Sequence, residues 1–170
     1  MIDLNAGWQT ERLDLEPLVP AHAVELGPAL NDARLHTFIG GTPVDTPALT
    51  ERYERLAARR SPAGDQLWGN WVLRVRQTGA VVGTLQATLP SAGPGAGPAE
   101  MAWVVAVEAQ GHGYAKEAAG SLTARLIEDG WSVAAYIHPG HHASQRVASA
   151  AGMTVTAGVR DGEQCWIRRD

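Results

Sequence analysis

The stretch from Glu100 to Asp129 constrains this chain most, because it joins three local patterns in a fixed order. Glu100 to Val107 is a near-continuous apolar, β-branched run of strand length, the pattern of a strand buried on both faces. Ala115, Ala118, Ala119, Leu122 and Leu126 then recur at helical spacing, with Lys116, Glu117 and Arg125 elsewhere on the circumference. Gly111-His112-Gly113 lies between the two. Strand, glycine loop and helix in succession aim unpaired N–H groups and the positive end of a helix dipole at an anion. The loop is not a nucleotide P-loop, since no Gly-Lys-Ser/Thr follows. Nor is it the dinucleotide fingerprint, whose third glycine position holds Lys116. Read alone, it also fits a plain glycine turn.

Composition narrows the classes. A chain of 170 residues suffices for one domain with a full core and is short for two, so a single domain over 1–170 is expected. The net charge of −4 carries no run of like charges, which argues against a nucleic-acid surface or a patch for anionic membranes. Cys165 is the only cysteine, so no intrachain disulfide forms and no zinc cluster is offered. The start lacks a basic segment followed by an apolar one, and no apolar run reaches membrane length, so a cytoplasmic protein is expected.

In chain order, Leu13 and Leu15 alternate with polar residues in a first strand, and Pro20 opens a helix punctuated by Gly27-Pro28. Thr46 as N-cap and Pro47 at the first helical position start a second helix, ending near Arg60. Residues 66–76 and 81–89 form a hairpin, and the glycine- and proline-rich 90–98 is a loop into the Glu100 strand. After Gly130 come a strand at 132–137, a helix at 143–151, and a hairpin turned by Asp161-Gly162. The order β-α-α-β-β-β-α-β-α-β-β predicts a three-layer α/β fold with one mixed sheet.

Gln110, Gly113 and Ala115 fit the pattern Gln/Arg-x-x-Gly-x-Gly/Ala, and this stretch resembles the acetyl-CoA-binding motif of the GNAT N-acetyltransferase superfamily. The order of elements resembles the family's from about Thr10 to Trp166. A second local match places His141, Ser144 and Gly152-Met153 where the family carries Asn, Ala or Ser, and Gly-Phe. Residues 137–144 most resemble the subgroup of ribosomal-protein N-terminal acetyltransferases. The resemblance implies an α/β/α fold whose central mixed, mostly antiparallel sheet is splayed at the CoA site. It implies an acyl-CoA-dependent N-acetyltransferase that moves acetyl from acetyl-CoA to a primary amine by direct attack in a ternary complex. A small-molecule amine is the expected acceptor. Alternatives are a protein N-terminus and a non-catalytic acyl-CoA-binding module. No metal, nucleic acid or membrane enters, and the protein is expected as a monomer or homodimer.

The same resemblance distributes roles. Gln110, Gly111, His112, Gly113, Tyr114 and Ala115 would hold the CoA pyrophosphate through backbone N–H groups, with Lys116 as a charge contact or a solvated lysine. Val105 and Val107 would line the pantetheine arm or belong to the core, and His141 and Ser144 would meet it from the last helix. Glu100 is the expected base, its pKa raised by apolar surroundings, or else a solvated residue that attracts the amine. His138 is the alternative base. The tyrosine that many members carry four residues after Ser144 is Ala148 here, so Ser144 or water must serve the departing thiolate, or nothing does. The histidines at 138, 141 and 142 lack acidic or cysteine partners at metal-binding spacing. Phe38, which precedes Ile39-Gly40-Gly41, and Trp68, Trp71 and Trp103 are candidates for an aromatic acceptor pocket or for plain core.

Overall fold

The structure, a computed structural model, describes residues 2–39 and 41–169. Its sheet has eight strands in the order β1-β2-β3-β4-β5-β6-β8-β7. They are β1 (Trp8–Gln9), β2 (Leu13–Pro17), β3 (Gln66–Val75), β4 (Val81–Pro90), β5 (Ala99–Val105), β6 (Val133–Ile137), β7 (Thr154–Arg160) and β8 (Glu163–Arg168). All neighbours pair antiparallel except β5 and β6, which are parallel. Among the described residues five α-helices complete the fold: α1 (His22–Leu30), α2 (His36–Ile39), α3 (Thr46–Ala57), α4 (Tyr114–Glu128) and α5 (His142–Ala150).

Strand β4 shows why the layers form. Leu85, Ala87 and Leu89 are buried while Thr84, Gln86 and Thr88 between them are half-exposed, so period-two patterning gives the sheet one apolar face and one mixed face. The apolar face joins Leu122 and Leu126 of α4 and Val147 and Ala148 of α5 in the larger core. On the other face a smaller core gathers Val72 with Leu26 of α1 and Leu49 and Tyr53 of α3. Three layers result, with α1 and α3 on one side and α4 and α5 on the other.

Departures from the sequence expectation are local. Trp8 and Gln9, which carry no periodic signal in the sequence, add an edge strand. Trp8 pairs with Leu15 as β1 and packs edge-on against Trp71 at 5.0 Å. Asp45, not Thr46, caps α3, its carboxylate accepting from the Ala48 N–H at 2.9 Å. Short α2 was unpredicted, and it carries Phe38; the adjoining Gly40 and the side chain of Ile39 lie outside the described residues.

Candidate active site

Strands β5 and β6 pair at only two registers, Ala99 with Val133 and Glu100 with Ala134. Beyond these, β6 is drawn away by its five-residue ladder with β8, and the edge of β5 from Met101 to Val105 is left without a partner strand on that side. This splay opens two cavities, one of about 470 Å³ at the mouth of α4 and one of about 210 Å³ between β5 and β6.

The larger cavity is built by the glycine loop. The Gln110 side chain reaches back to donate to the Val105 carbonyl at 3.0 Å, which ties the loop to the end of β5. Gly111 and Gly113 have φ of 81° and 83°, left-handed values at which a side chain is strained by about 1–2 kcal/mol. Gly113 caps α4, so the N–H groups of Tyr114, Ala115 and Lys116 have no intrahelical acceptor and face the cavity end of the helix. From the far side, Arg12 donates to the His112 carbonyl at 2.8 Å and lies 5.1 Å over the Tyr114 ring, which stacks on His112. Glu117 anchors Arg12 at 2.7 Å and also accepts from Thr10 at 2.6 Å. Burial acts to raise the Glu117 pKa, yet the hydrogen bonds from Thr10 and Arg12 outweigh it and hold the carboxylate below its ordinary value. Lys116 and Arg146 line the same cavity, and among the described residues neither has an ion-pair partner. Free N–H groups, a helix N-terminus and two unpaired cations form a donor set that fits a polyphosphate.

Three residues belong to both cavities: Trp103, His141 and Ser144. His141 caps α5, and its Nδ1 accepts from the Ser144 N–H at 3.4 Å. That assigns the remaining proton to Nε2, which lies 3.1 Å from Ser144 Oγ and donates to it. Ser144 thereby keeps its own hydroxyl hydrogen free to donate. Partial burial, then the neighbouring His138 and His142, lower the His141 pKa, so the neutral imidazole is the form at neutral pH. Phe38 of α2 stacks on His141 at 4.6 Å and leans on His138 at 5.5 Å. Gly140 makes room for this: a Cβ there would come 3.2 Å from the His138 ring and 3.3 Å from Phe38.

Most of the expected site residues gather here. Val105, Gln110, Gly111, Gly113, Tyr114 and Ala115 line the larger cavity together with Lys116, and Phe38 and His138 line the smaller one. Others stand apart. Val107 follows the end of β5 in a short 3-10 turn, and His112 points outward to its stack on Tyr114; neither lines either of these two cavities. Trp71 is fully buried in the core, its indole N–H bonded to the Ala6 carbonyl at 3.0 Å, so it corrects to core rather than acceptor wall. Trp68 donates to the Gln66 side chain and lines neither cavity. Glu100 is not sunk among apolar groups. Its side chain is 37% exposed, accepts from Arg160 at 2.9 and 2.7 Å, and lines neither cavity. Arg160 in turn lies 3.6 Å over Tyr136, a wall of the smaller cavity, so Glu100 reaches the site only through that pair.

Arg146, Tyr136 and Glu163 are the polar residues of the two cavities that sequence reasoning missed. Arg146 had a signal, since it follows Ser144 by two positions on a helix already placed at the CoA site. Glu163 had none, because only the fold brings the start of β8 across to β5. Among the described residues no group of three or more His, Cys, Asp or Glu side chains is arranged to hold a metal.

Comparison with known proteins agrees with this geometry. No curated protein matches the chain in sequence. Solved structures match over nearly its whole length. An acetyltransferase from Agrobacterium tumefaciens str. C58 is 23% identical with a TM-score of 0.75, covering 100% of this chain and 98% of that one. The Salmonella typhimurium acetyl transferase that modifies the N-terminal serine of ribosomal protein L7/L12 is 14% identical with a TM-score of 0.73, covering 95% and 96%. The microcin C7 self-immunity acetyltransferase MccE, solved with acetyl-CoA and AMP, is 12% identical with a TM-score of 0.74, covering 95% and 94%. The family model of the acetyltransferase (GNAT) domain matches residues 12–154. With its splayed sheet, its glycine loop at the head of α4 and that match across most of its length, the chain belongs to the GNAT family of acetyltransferases.

Proposed function

We propose that this chain acetylates the primary amine of a small molecule, with acetyl-CoA and the amine held together in the two cavities. The observation that supports this most is that Trp103, His141 and Ser144 line both, so the contents of the two spaces can meet at those side chains. Acetyl-CoA supplies the activated acetyl group: a bond forms from the neutral amine nitrogen to the carbonyl carbon, the carbon–sulfur bond breaks with its electron pair left on the sulfur, and the proton given up by the nitrogen passes through water to that sulfur, leaving an amide and the free CoA thiol.

The chain's own groups take four tasks. The N–H groups of residues 114–116, with Lys116 and Arg146, bind the pyrophosphate and phosphate charge. The unpaired edge of β5 from Met101 to Val105 offers backbone groups to the pantetheine amides, as a neighbouring strand would. Ser144 donates its hydroxyl hydrogen toward the sulfur, held in that direction by the His141 N–H. Trp103 and Phe38 exclude water from the junction. Glu100 acts as a positioning residue through Arg160 and Tyr136. A cytoplasmic setting suits the reaction, because acetyl-CoA is available there and the lone Cys165 stays reduced.

The test is calorimetric titration with acetyl-CoA followed by thiol release over a panel of amines. Saturable binding and amine-dependent thiol release are expected, and Ser144→Ala should lower kcat about ten- to a hundredfold with acetyl-CoA affinity kept. A protein that binds acetyl-CoA but releases no thiol with any amine or peptide N-terminus would be a binding module, and the proposal would fall.

A further inference from the structure

The two cavities differ in charge. The cations Lys116 and Arg146 line the larger one, and neither they nor any other lysine or arginine lines the smaller. In the smaller cavity the one carboxylate is Glu163, at the first position of β8. Among the described residues the Glu163 side chain has no hydrogen-bond or ion-pair partner. The nearest basic residue in the chain, Arg160, is instead bound bidentately to Glu100 and stacked on Tyr136.

The two histidines of this cavity are donors. His138 Nδ1 accepts from the Gly140 N–H at 3.0 Å and His141 Nδ1 from the Ser144 N–H at 3.4 Å, so on each ring Nε2 is the nitrogen that donates. Glu163 is therefore the group that can receive a cation. Around it the wall is apolar and aromatic, with Phe38, Trp103, Tyr136, Met101 and Ile137. Such a wall attracts one ammonium through its ring faces and buries a hydrocarbon body, but it offers a second ammonium no second carboxylate, and a carboxylate no cation beyond the N–H groups of the histidines. A carboxylate on the carbon that bears the nitrogen would sit beside Glu163 with no cation to meet it, and like charges at that distance repel. The volume of about 210 Å³ is below the usual range for drug-sized ligands, which favours a compact molecule over a peptide.

We infer that the acceptor is a compact monoamine with an apolar or aromatic body and no acidic group beside the nitrogen, its ammonium received by Glu163. This rests on the amine acetylation proposed above and adds the class of amine. It separates the chain's substrate from amino acids, whose carboxylate is rejected, and from polyamines, whose second cation would be buried among apolar walls.

Phenylethylamine, phenylalanine, putrescine and a tripeptide beginning with serine serve as probes, with thiol release giving kcat and KM and calorimetry giving acetyl-CoA affinity separately. Phenylethylamine is expected to exceed the other three by at least a hundredfold in kcat/KM. Glu163→Gln should raise its KM about tenfold or more, leave acetyl-CoA affinity unchanged, and narrow the gap to phenylalanine; Glu163→Asp should restore part of the loss. The inference is overturned if phenylalanine, putrescine or the peptide is the better acceptor, or if both Glu163 variants, folded by circular dichroism, keep the parent KM. Turnover confined to one of those other amines overturns the inference and leaves the acetyltransferase reading standing. Acetyl-CoA binding with no turnover of any amine removes both.

Discussion

His141 sits at the meeting point of the two cavities, stacked under Phe38 and capping α5, and partial burial, then His138 and His142, disfavour its cation. The sign of the consequence follows from linkage. With the native pKa lowered, the unfolded chain takes up this proton first as pH falls through about 6.5, the ordinary histidine value, and so gains on the native state. Stability due to this residue is whole above that pH and declines below it, until the lowered native pKa is reached. Urea unfolding at pH 7.5 and 5.5 should show this fall, and His141→Asn, which keeps a capping side chain without a titrating ring, should lessen it. The motif residues Gln110, Gly113 and Ala115 were legible in the sequence, because a loop contacts its ligand through consecutive backbone groups. Glu163 and the Glu100–Arg160 pair were not. Glu163 faces the site across a hairpin, and Glu100 looked like a base only while Arg160, sixty positions away, had no place in space.

At the scale of elements, α4 does its work through its first turn, and that turn is held from outside. Arg12, at the entry to β2, joins Glu117 to the His112 carbonyl, so the strand entry, the helix and the glycine loop are tied to one another. Glu117→Ala should loosen the loop and weaken acetyl-CoA binding about tenfold, roughly 1.4 kcal/mol, with the fold retained. Calorimetry would check this, and unchanged affinity would assign the ion pair to stability alone. A second ionic cluster acts on the opposite layer, where Arg74 of β3 binds Glu16 of β2 at 2.7 Å and Glu25 of α1 at 2.9 Å. Hydrogen bonds from Arg74 lower both glutamate pKa values, so this stabilisation is present above the ordinary carboxylate range and is lost as pH falls below it. With both glutamates substantially exposed, Arg74→Leu should cost only about 1 kcal/mol at pH 7, measured by urea unfolding, and less at pH 3. The existence of these elements was readable from periodicity, while their caps were less so: Asp45 supplanted Thr46 because its carboxylate reaches the Ala48 N–H.

For the whole molecule, the splay between β5 and β6 leaves polar backbone and two cations facing open space, a state that a ligand of opposite charge should relieve. Acetyl-CoA at a hundred times its Kd should stabilise the native state by about 2.7 kcal/mol, a rise in Tm of about 5–10 °C for a chain of this length. ATP, which shares the phosphates but lacks the pantetheine arm, should raise it much less. Equal shifts would show that the edge of β5 contributes nothing to binding. Sequence alone determined the order of the longer strands and helices, their apolar faces, and the glycine loop at the head of α4, because each depends on residues close together in the chain, where period and backbone conformation are written locally. The tertiary structure decided what lies opposite that loop: the early parting of β5 from β6, the pairing of Glu100 with Arg160, and the unpartnered Glu163 in the second cavity. Those depend on which strands run out of partners and which charges find one another first across the sheet, and no local pattern carries that information.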